Sequence, residues 1–264
     1  MLVGVKRVSY IIVTDEKFDR WVHSLEARHF AELTFPEVSR GLRALSSTYV
    51  ERREQLARGA ALAGAGKRAA FALFYGPLHY LMVRHIVQAL PGAAGSSSTI
   101  IDLGCGTGAA GAAWATACAM RPQVVGIDRH PWTLAEAART YRDFDLVART
   151  RLGDAAIVPP FTSQSSVLAA FTVNEIDDAA RETLLPRLLD RAAHGDRVLI
   201  VEPVAGMAAR WWGRWRDAFV AAGGRADEWR VRAVLPAIVL KLDRAAGLNH
   251  QELTARSLWL PGPR

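Results

Sequence analysis

Cysteine is nearly absent from this 264-residue chain: only Cys105 and Cys118 occur. Both fall in or beside one glycine-rich stretch, where a disulfide framework has no purpose, so the sequence points to a cytoplasmic protein with reduced thiols. Long apolar runs are missing as well. The most apolar stretch, Ala69 to Leu90, is broken by Pro77, His79, Arg84 and His85, which leaves it short of the ~20 apolar residues of a membrane span. No secretory pattern opens the sequence, and no internal repeat or low-complexity segment is present. Acidic residues are the minority, 26 against 33 lysines and arginines, for a formal net charge of +7 and a pI near 9.9. That balance favours anionic partners such as nucleic acid through the long-range field, and equally fits a solvated basic surface.

Half the residues are hydrophobic, enough for one main core with a small additional lobe. From Asp15 to about Leu90 the pattern is helical. The small-residue stretch Gly92 to Ser98 then reads as a connector, which divides the chain into an N-terminal helical lobe (1–95) and a second domain (96–264). In that domain short apolar runs alternate with helical ones. Thr99–Leu103, Val124–Ile127, Val167–Thr172, Arg197–Val201 and Glu252–Leu260 read as strands, and Ala109–Met120, Pro131–Tyr141, Asp178–Ala193 and Leu235–Leu248 as helices. Such alternation with fully apolar strands predicts an α/β fold, a mostly parallel sheet with helices on both faces. Leu184, Leu185, Leu188 and Leu189 form a buried stripe, Pro186 is expected to kink their helix, and Gly195 ends it.

The most informative segment is Asp102-Leu103-Gly104-Cys105-Gly106-Thr107-Gly108, which runs from a buried strand into an alanine-rich helix. Glycines there allow a tight turn and bring backbone against a ligand. Gly106, Gly108 and Gly111 also satisfy G-x-G-x-x-G, and Asp128 follows about 20 residues on, so a dinucleotide competes as ligand. Asp102 separates the two: a carboxylate at that strand end would repel a pyrophosphate but pair with the ammonium of S-adenosylmethionine (SAM).

Asp102 to Gly108 resembles the first motif of class I SAM-dependent methyltransferases, whose sheet is Rossmann-like. The resemblance implies that Gly104, Cys105 and Gly106 line the cofactor, that Asp128 at the end of Val124-Val125-Gly126-Ile127-Asp128 holds the ribose hydroxyls, and that Arg129 lies beside the adenine. Gly153, Asp154 and Ala155 resemble the segment that meets the adenine amino group; a plain Gly-Asp turn is the competing reading.

On the acceptor side, the fourth strand ends in Phe171-Thr172-Val173-Asn174-Glu175, with Phe171 expected to line the cofactor. Asn174 and Glu175 are the candidate catalytic residues, with helix capping by this segment the equal alternative. Tyr75 and His79 are expected to cap the pocket, and His79 joins the catalytic candidates. Methyl transfer from a sulfonium is an in-line displacement in which positioning can suffice, and no nucleophile–base pair stands out. The Asn/Asp-Pro-Pro-aromatic run that enzymes methylating base amino groups have in common is absent. So is the cysteine nucleophile of enzymes acting on carbon 5 of cytosine. Arg210, Trp211, Trp212, Arg214, Trp215 and Arg216 would either stack on bases and contact phosphates or pack as a helix.

Beyond the cofactor loop, Leu45 to Tyr49, Tyr75-Gly76-Pro77, Phe171 to Glu175, Val201-Glu202-Pro203 and Leu253 to Leu258 are together similar to methyltransferase-like proteins associated with the small ribosomal subunit, in their bacterial branch. That likeness runs from about residue 40 to the end. Mitochondrial members are similar to one another in a cysteine cluster that holds an iron–sulfur centre, which two cysteines cannot supply, so no metal is expected here. The resemblance implies an RNA- or ribosome-directed methyltransferase. The alternatives are a small-molecule methyltransferase and a non-catalytic SAM-binding ribosome assembly factor.

Overall fold

The computed structural model describes residues 9–11, 15–51, 62–158, 164–204 and 210–262. After a short strand, β1 (Ser9–Ile11), come two helices, α1 (Glu16–His29) and α2 (Phe35–Glu51). A third helical run follows: α3 (Ala65–Ala70), a π-helical turn (Phe71–Tyr75) and α4 (Gly76–Ala89). Asp15 caps α1 by accepting from the backbone N–H of Lys17 at 3.0 Å, satisfying one of the donors a helix start leaves open.

From there strands and helices largely alternate, and one strand, Arg225–Ala233, lies outside the runs that the periodicity predicts. The elements are β2 (Thr99–Leu103), α5 (Ala109–Ala117), β3 (Gln123–Asp128), α6 (Pro131–Asp143), β4 (Ala148–Leu152), β5 (Ser165–Ala170), α7 (Asp178–Ala193), β6 (Arg197–Glu202), α8 (Trp211–Ala221), β7 (Arg225–Ala233), α9 (Ala237–Ala245) and β8 (Leu253–Leu260). The chain before residue 95 is not wholly helical, because β1 (Ser9–Ile11) pairs in parallel with β7. Sheet order is β1-β7-β8-β6-β5-β2-β3-β4. Among the described strands, only β8 runs against its neighbours, β6 and β7.

Alternate strand residues feed two cores. Ile100, Val124, Leu168, Leu199 and Trp259 join one, with α1 to α6 and α9; Ile101, Val125, Val167, Ile200 and Leu258 join the other, with α7 and α8. The N-terminal helices therefore share a core with the sheet: Trp21 of α1 donates its indole N–H to Thr140 Oγ1 of α6 at 3.2 Å, and Tyr80 of α4 stacks on Phe144 with ring centroids 4.9 Å apart. Helix α7 passes unbroken through Pro186. That residue sits on the exposed side of the helix, where water can take the carbonyl that proline leaves without a donor. The stretch expected to end at Met120 stops at Ala117, and that expected over 235–248 spans only 237–245.

Neighbouring β2 and β5 hand the chain to opposite sides of the sheet, β2 toward β3 and β5 toward β6. This is a switch point, and the crevice outside the C-terminal strand ends is where an open α/β sheet binds ligands.

Candidate functional site

A cleft of about 390 Å³ opens at that switch point. The ends of β2, β3, β5 and β6 and the π-helical turn supply most of its lining, among them Phe71, Tyr75, His79, Gly104, Cys105, Gly106, Asp128, Arg129, Asp154, Ala155, Phe171, Asn174, Glu175 and Glu202. Twelve of the fourteen residues singled out in the sequence are thereby brought together; Asp102 and Gly153 are not in the lining.

The glycine loop is set by sterics. Gly104 has φ of 66°, and a Cβ there would lie 2.4 Å from Thr172 Cγ2, so only glycine lets the loop close on β5. Gly106 donates its N–H to Asp128 Oδ2 at 2.9 Å, while Oδ1 accepts from the N–H of His130 at 2.9 Å. Each carboxylate oxygen keeps a further lone pair for a hydroxyl. Cys105 is buried, and burial pushes its thiol well above the usual range.

Asp102 departs from expectation. It is 1% exposed, and its carboxylate accepts from the backbone N–H of Gly111 at 3.0 Å and lies 3.5 Å from Tyr141 Oη. A Cβ at Gly111 would fall 2.6 Å from Asp102 Oδ2, so the third glycine makes room for this carboxylate inside the fold. Burial raises its carboxyl to about 7, offset in part by the Gly111 N–H. Gly153 is spent on backbone pairing, donating to Asp128 O at 3.0 Å. Asp154 is exposed and accepts from Ala156 N at 2.8 Å.

The opposite wall carries strain and aromatic surface. Phe171 has φ of 58°, rare for a bulky residue and common at ligand sites. Its ring stacks on His79 with centroids 3.8 Å apart and planes 11° from parallel. Burial lowers His79 to about 3 and raises Tyr75 to about 12, so both are uncharged at neutral pH. Asn174 is the central residue of the 3₁₀ turn Val173–Glu175 and is held from two sides: Nδ2 donates to Glu202 Oε2 at 2.6 Å, and Oδ1 accepts from Trp211 Nε1 at 3.0 Å. Glu202 Oε1 also accepts the backbone N–H groups of Thr172, Val173 and Asn174 at 3.0, 2.7 and 3.4 Å.

Glu202, His130, Thr133 and Phe71 were not picked out as site residues from sequence, although Glu202 stands in the quoted Val201-Glu202-Pro203. Its position at the end of a predicted strand was the available signal. No cluster of three metal-ligating side chains occurs among the described residues, and none of the described helices is long and apolar enough to cross a membrane.

The arginine–tryptophan run is a packed helix: Trp215 is buried, Arg214 pairs with Glu182, and Arg216 Nε lies 2.9 Å from Asp217 Oδ1. Arg256 sits over the ring of Trp212 at 4.0 Å. The arginines Arg214 and Arg216 thus face acids of their own chain.

Residues 100–195 match the family described as a methyltransferase domain. A comparison with curated proteins finds no match. Similar solved structures include a SAM-dependent methyltransferase from Aquifex aeolicus (13% identity, 69% of this chain and 92% of that one, TM-score 0.45). Another is the mitomycin 7-O-methyltransferase MmcR (14% identity, 94% of this chain and 73% of that one, TM-score 0.49). A third is the precorrin-6y C5,15-methyltransferase from Geobacter metallireducens (10% identity, 68% and 88%, TM-score 0.45). The acceptors named for the last two differ, and neither is carried over to this chain.

Proposed function

We propose that this chain, a SAM-dependent methyltransferase with its methyltransferase domain over residues 100–195, methylates a small organic acceptor that enters beside the Thr172–Asp177 wall. The observation that carries this reading is the charge of the cleft. Asp128, Asp154, Glu175 and Asp177 line it beside Glu202, whose carboxyl is raised by burial to about 8, and among the described residues of the lining Arg129 is the one arginine or lysine. A phosphodiester chain brought to this mouth meets like charge, whereas a cationic cofactor and a neutral or cationic acceptor do not. Arg225, Arg230 and Arg232 on β7 are exposed outside that lining, each beside an acid of the same chain.

The residues suit the cofactor. A 390 Å³ cleft lies within the ~300–1,000 Å³ range of small-molecule sites. Asp128 offers acceptor lone pairs to two vicinal hydroxyls, and Gly104 and Gly106, which have no side chains, present backbone to the cleft. When bound, SAM supplies an electrophilic methyl group on a sulfonium. The chain's part is to hold the reactants in line: Asp128 takes the ribose, and the His79–Phe171 pair forms a wall that carries no opposing positive charge. His79, at about 3, is too weak a base to take a proton near neutrality, so it shapes the site. Glu175 is a carboxylate of the cleft lining on that wall, and alignment of the reactants supplies most of the acceleration.

Radiolabelled methyl transfer from SAM to a panel of small phenolic, hydroxyl and amine acceptors, run beside small-subunit rRNA fragments, tests this. Turnover on a small acceptor supports it. Transfer confined to rRNA overturns it in favour of the ribosome-directed reading, and SAM binding without turnover on either favours an assembly factor.

A further inference from the structure

We infer that Glu202 and Trp211 are positioning residues for methyl transfer, holding the Thr172–Glu175 wall through the two ends of the Asn174 side-chain amide. The inference rests on the reading of that wall as the methyl-facing side of a SAM cleft. Both residues lie beyond the matched segment 100–195.

The geometry allows one arrangement. An indole N–H can only donate, so at 3.0 Å from Trp211 Nε1 the Asn174 amide must present its oxygen. That turns Nδ2 toward Glu202 Oε2 at 2.6 Å, a donor that only an oxygen with a lone pair can receive. Glu202 Oε1 gathers three successive backbone N–H groups, from Thr172 to Asn174. A loop with three consecutive N–H groups converging on one buried oxygen cannot shift by an ångström without stranding at least one donor. The same loop carries Thr172, whose hydroxyl lies 3.2 Å from the carbonyl oxygen of Gly104, so the network ties the acceptor wall to the cofactor loop across the cleft.

Helix α8 thereby takes a role in the site without lining it. Trp215 and Phe219 anchor the helix in the second core, 1% and 0% exposed, and Trp211 lies one turn before Trp215, with ring centroids 5.0 Å apart. The indole is thus held by packing and acts on the cleft at second hand. A side chain held in this way fixes its partner at little further entropic cost.

The test compares the full chain with Trp211→Phe, which keeps an aromatic ring and removes the donor, and with Glu202→Gln. Two readouts are taken: amide hydrogen exchange over residues 171–175, and calorimetric affinity for SAM and for S-adenosylhomocysteine, which lacks the methyl and its charge. The expected result for Trp211→Phe is about three- to tenfold faster exchange of these amides, and a loss of SAM affinity about three- to tenfold greater than the loss for S-adenosylhomocysteine, the scale of one hydrogen bond. General loosening of the protein would weaken both ligands by one factor, and that result overturns the inference, as does unchanged exchange in a folded variant. Glu202→Gln should show the larger effects; if it does not fold, Trp211→Phe decides alone. A wild-type chain that binds neither ligand overturns the cofactor reading instead, and the exchange measurement still decides whether Trp211 holds the wall.

Discussion

Asp102 gives its carboxylate to the backbone N–H of Gly111, 3.0 Å away, on the inner side of the glycine loop. The consequence is a division of labour between two strand-end aspartates. Asp102 braces the first turn of α5, and Asp128 at the end of β3 faces the cleft. Asp128→Ala should therefore weaken S-adenosylhomocysteine binding by about 1.5–3 kcal/mol, the range for a hydrogen bond to a charged group. Asp102→Asn, which keeps an oxygen for Gly111, should change it by less than about threefold. Calorimetry on the two variants decides, and equal losses would return Asp102 to the ligand site.

Gly104 stands where the loop passes Thr172. Gly104→Ala forces a Cβ onto a backbone at φ 66° and against Thr172 Cγ2, and should cost on the order of 1–3 kcal/mol from the strained conformation alone. The clash adds to this. Thr172→Ser removes the methyl that the new Cβ meets, so the double variant should recover part of the loss. Denaturant midpoints for the four proteins of the cycle measure the coupling, and strict additivity would mean the two side chains do not touch.

The cofactor edge was legible in the sequence because its signals are local: a buried run, alternate glycines, and an acidic residue closing each of two neighbouring strands. Direction of a side chain is not local. Asp102 sits at the strand end the sequence gives it, yet whether it faces ligand or fold depends on Gly111 leaving room nine residues later. The Asn174 network was out of reach for the same reason, since its partners Glu202 and Trp211 lie 28 and 37 positions away. Strand β7 was missed because its sequence, RADEWRVRA, is half-exposed and mostly polar. Its apolar residues, at 226, 229, 231 and 233, are too diluted to read as a buried run. The N-terminal helices were read correctly as helices, but their own lobe boundary at 95 does not coincide with a break in packing, because Trp21, Leu42 and Tyr80 share one core with Val124 and Leu199.

Two buried carboxyls should give stability a pH dependence of opposite sign. Glu136 of α6 is 1% exposed. Burial pushes it up, but the neighbouring His29 ring and the Arg28 guanidinium that pairs with it outweigh that and hold it at about 2. Its folded value lies below its ordinary one of 4.5, so its contribution is present above that value and is lost as pH falls toward about 2. Asp102, raised by burial to about 7 from 3.8, stabilises relative to the unfolded chain at low pH and loses that contribution as pH rises through about 7. Urea midpoints from pH 3 to 8 should thus show Arg28→Ala narrowing its deficit against wild type at the acid end. Asp102→Asn should gain on wild type between about pH 4 and 7. A constant offset for Asp102→Asn across that window would mean that its carboxyl titrates normally.

The net charge of +7 makes some association with RNA at low salt expected of the folded chain, and the question is whether helix α8 is its footprint. Lysines and arginines that neutralise phosphates release counterions, so each true contact adds nearly one to the slope of log affinity against log salt. Arg214 pairs with Glu182 and Arg216 with Asp217, so an incoming phosphate would have to displace an acid of the same chain at each position. The double variant Arg214→Ala/Arg216→Ala should therefore leave the salt slope for small-subunit rRNA fragments within about half a unit of wild type. SAM affinity should stay unchanged as well. A drop of about two units on removing Arg214 and Arg216 would show instead that α8 meets the phosphate backbone, and would move the acceptor from a small molecule to RNA.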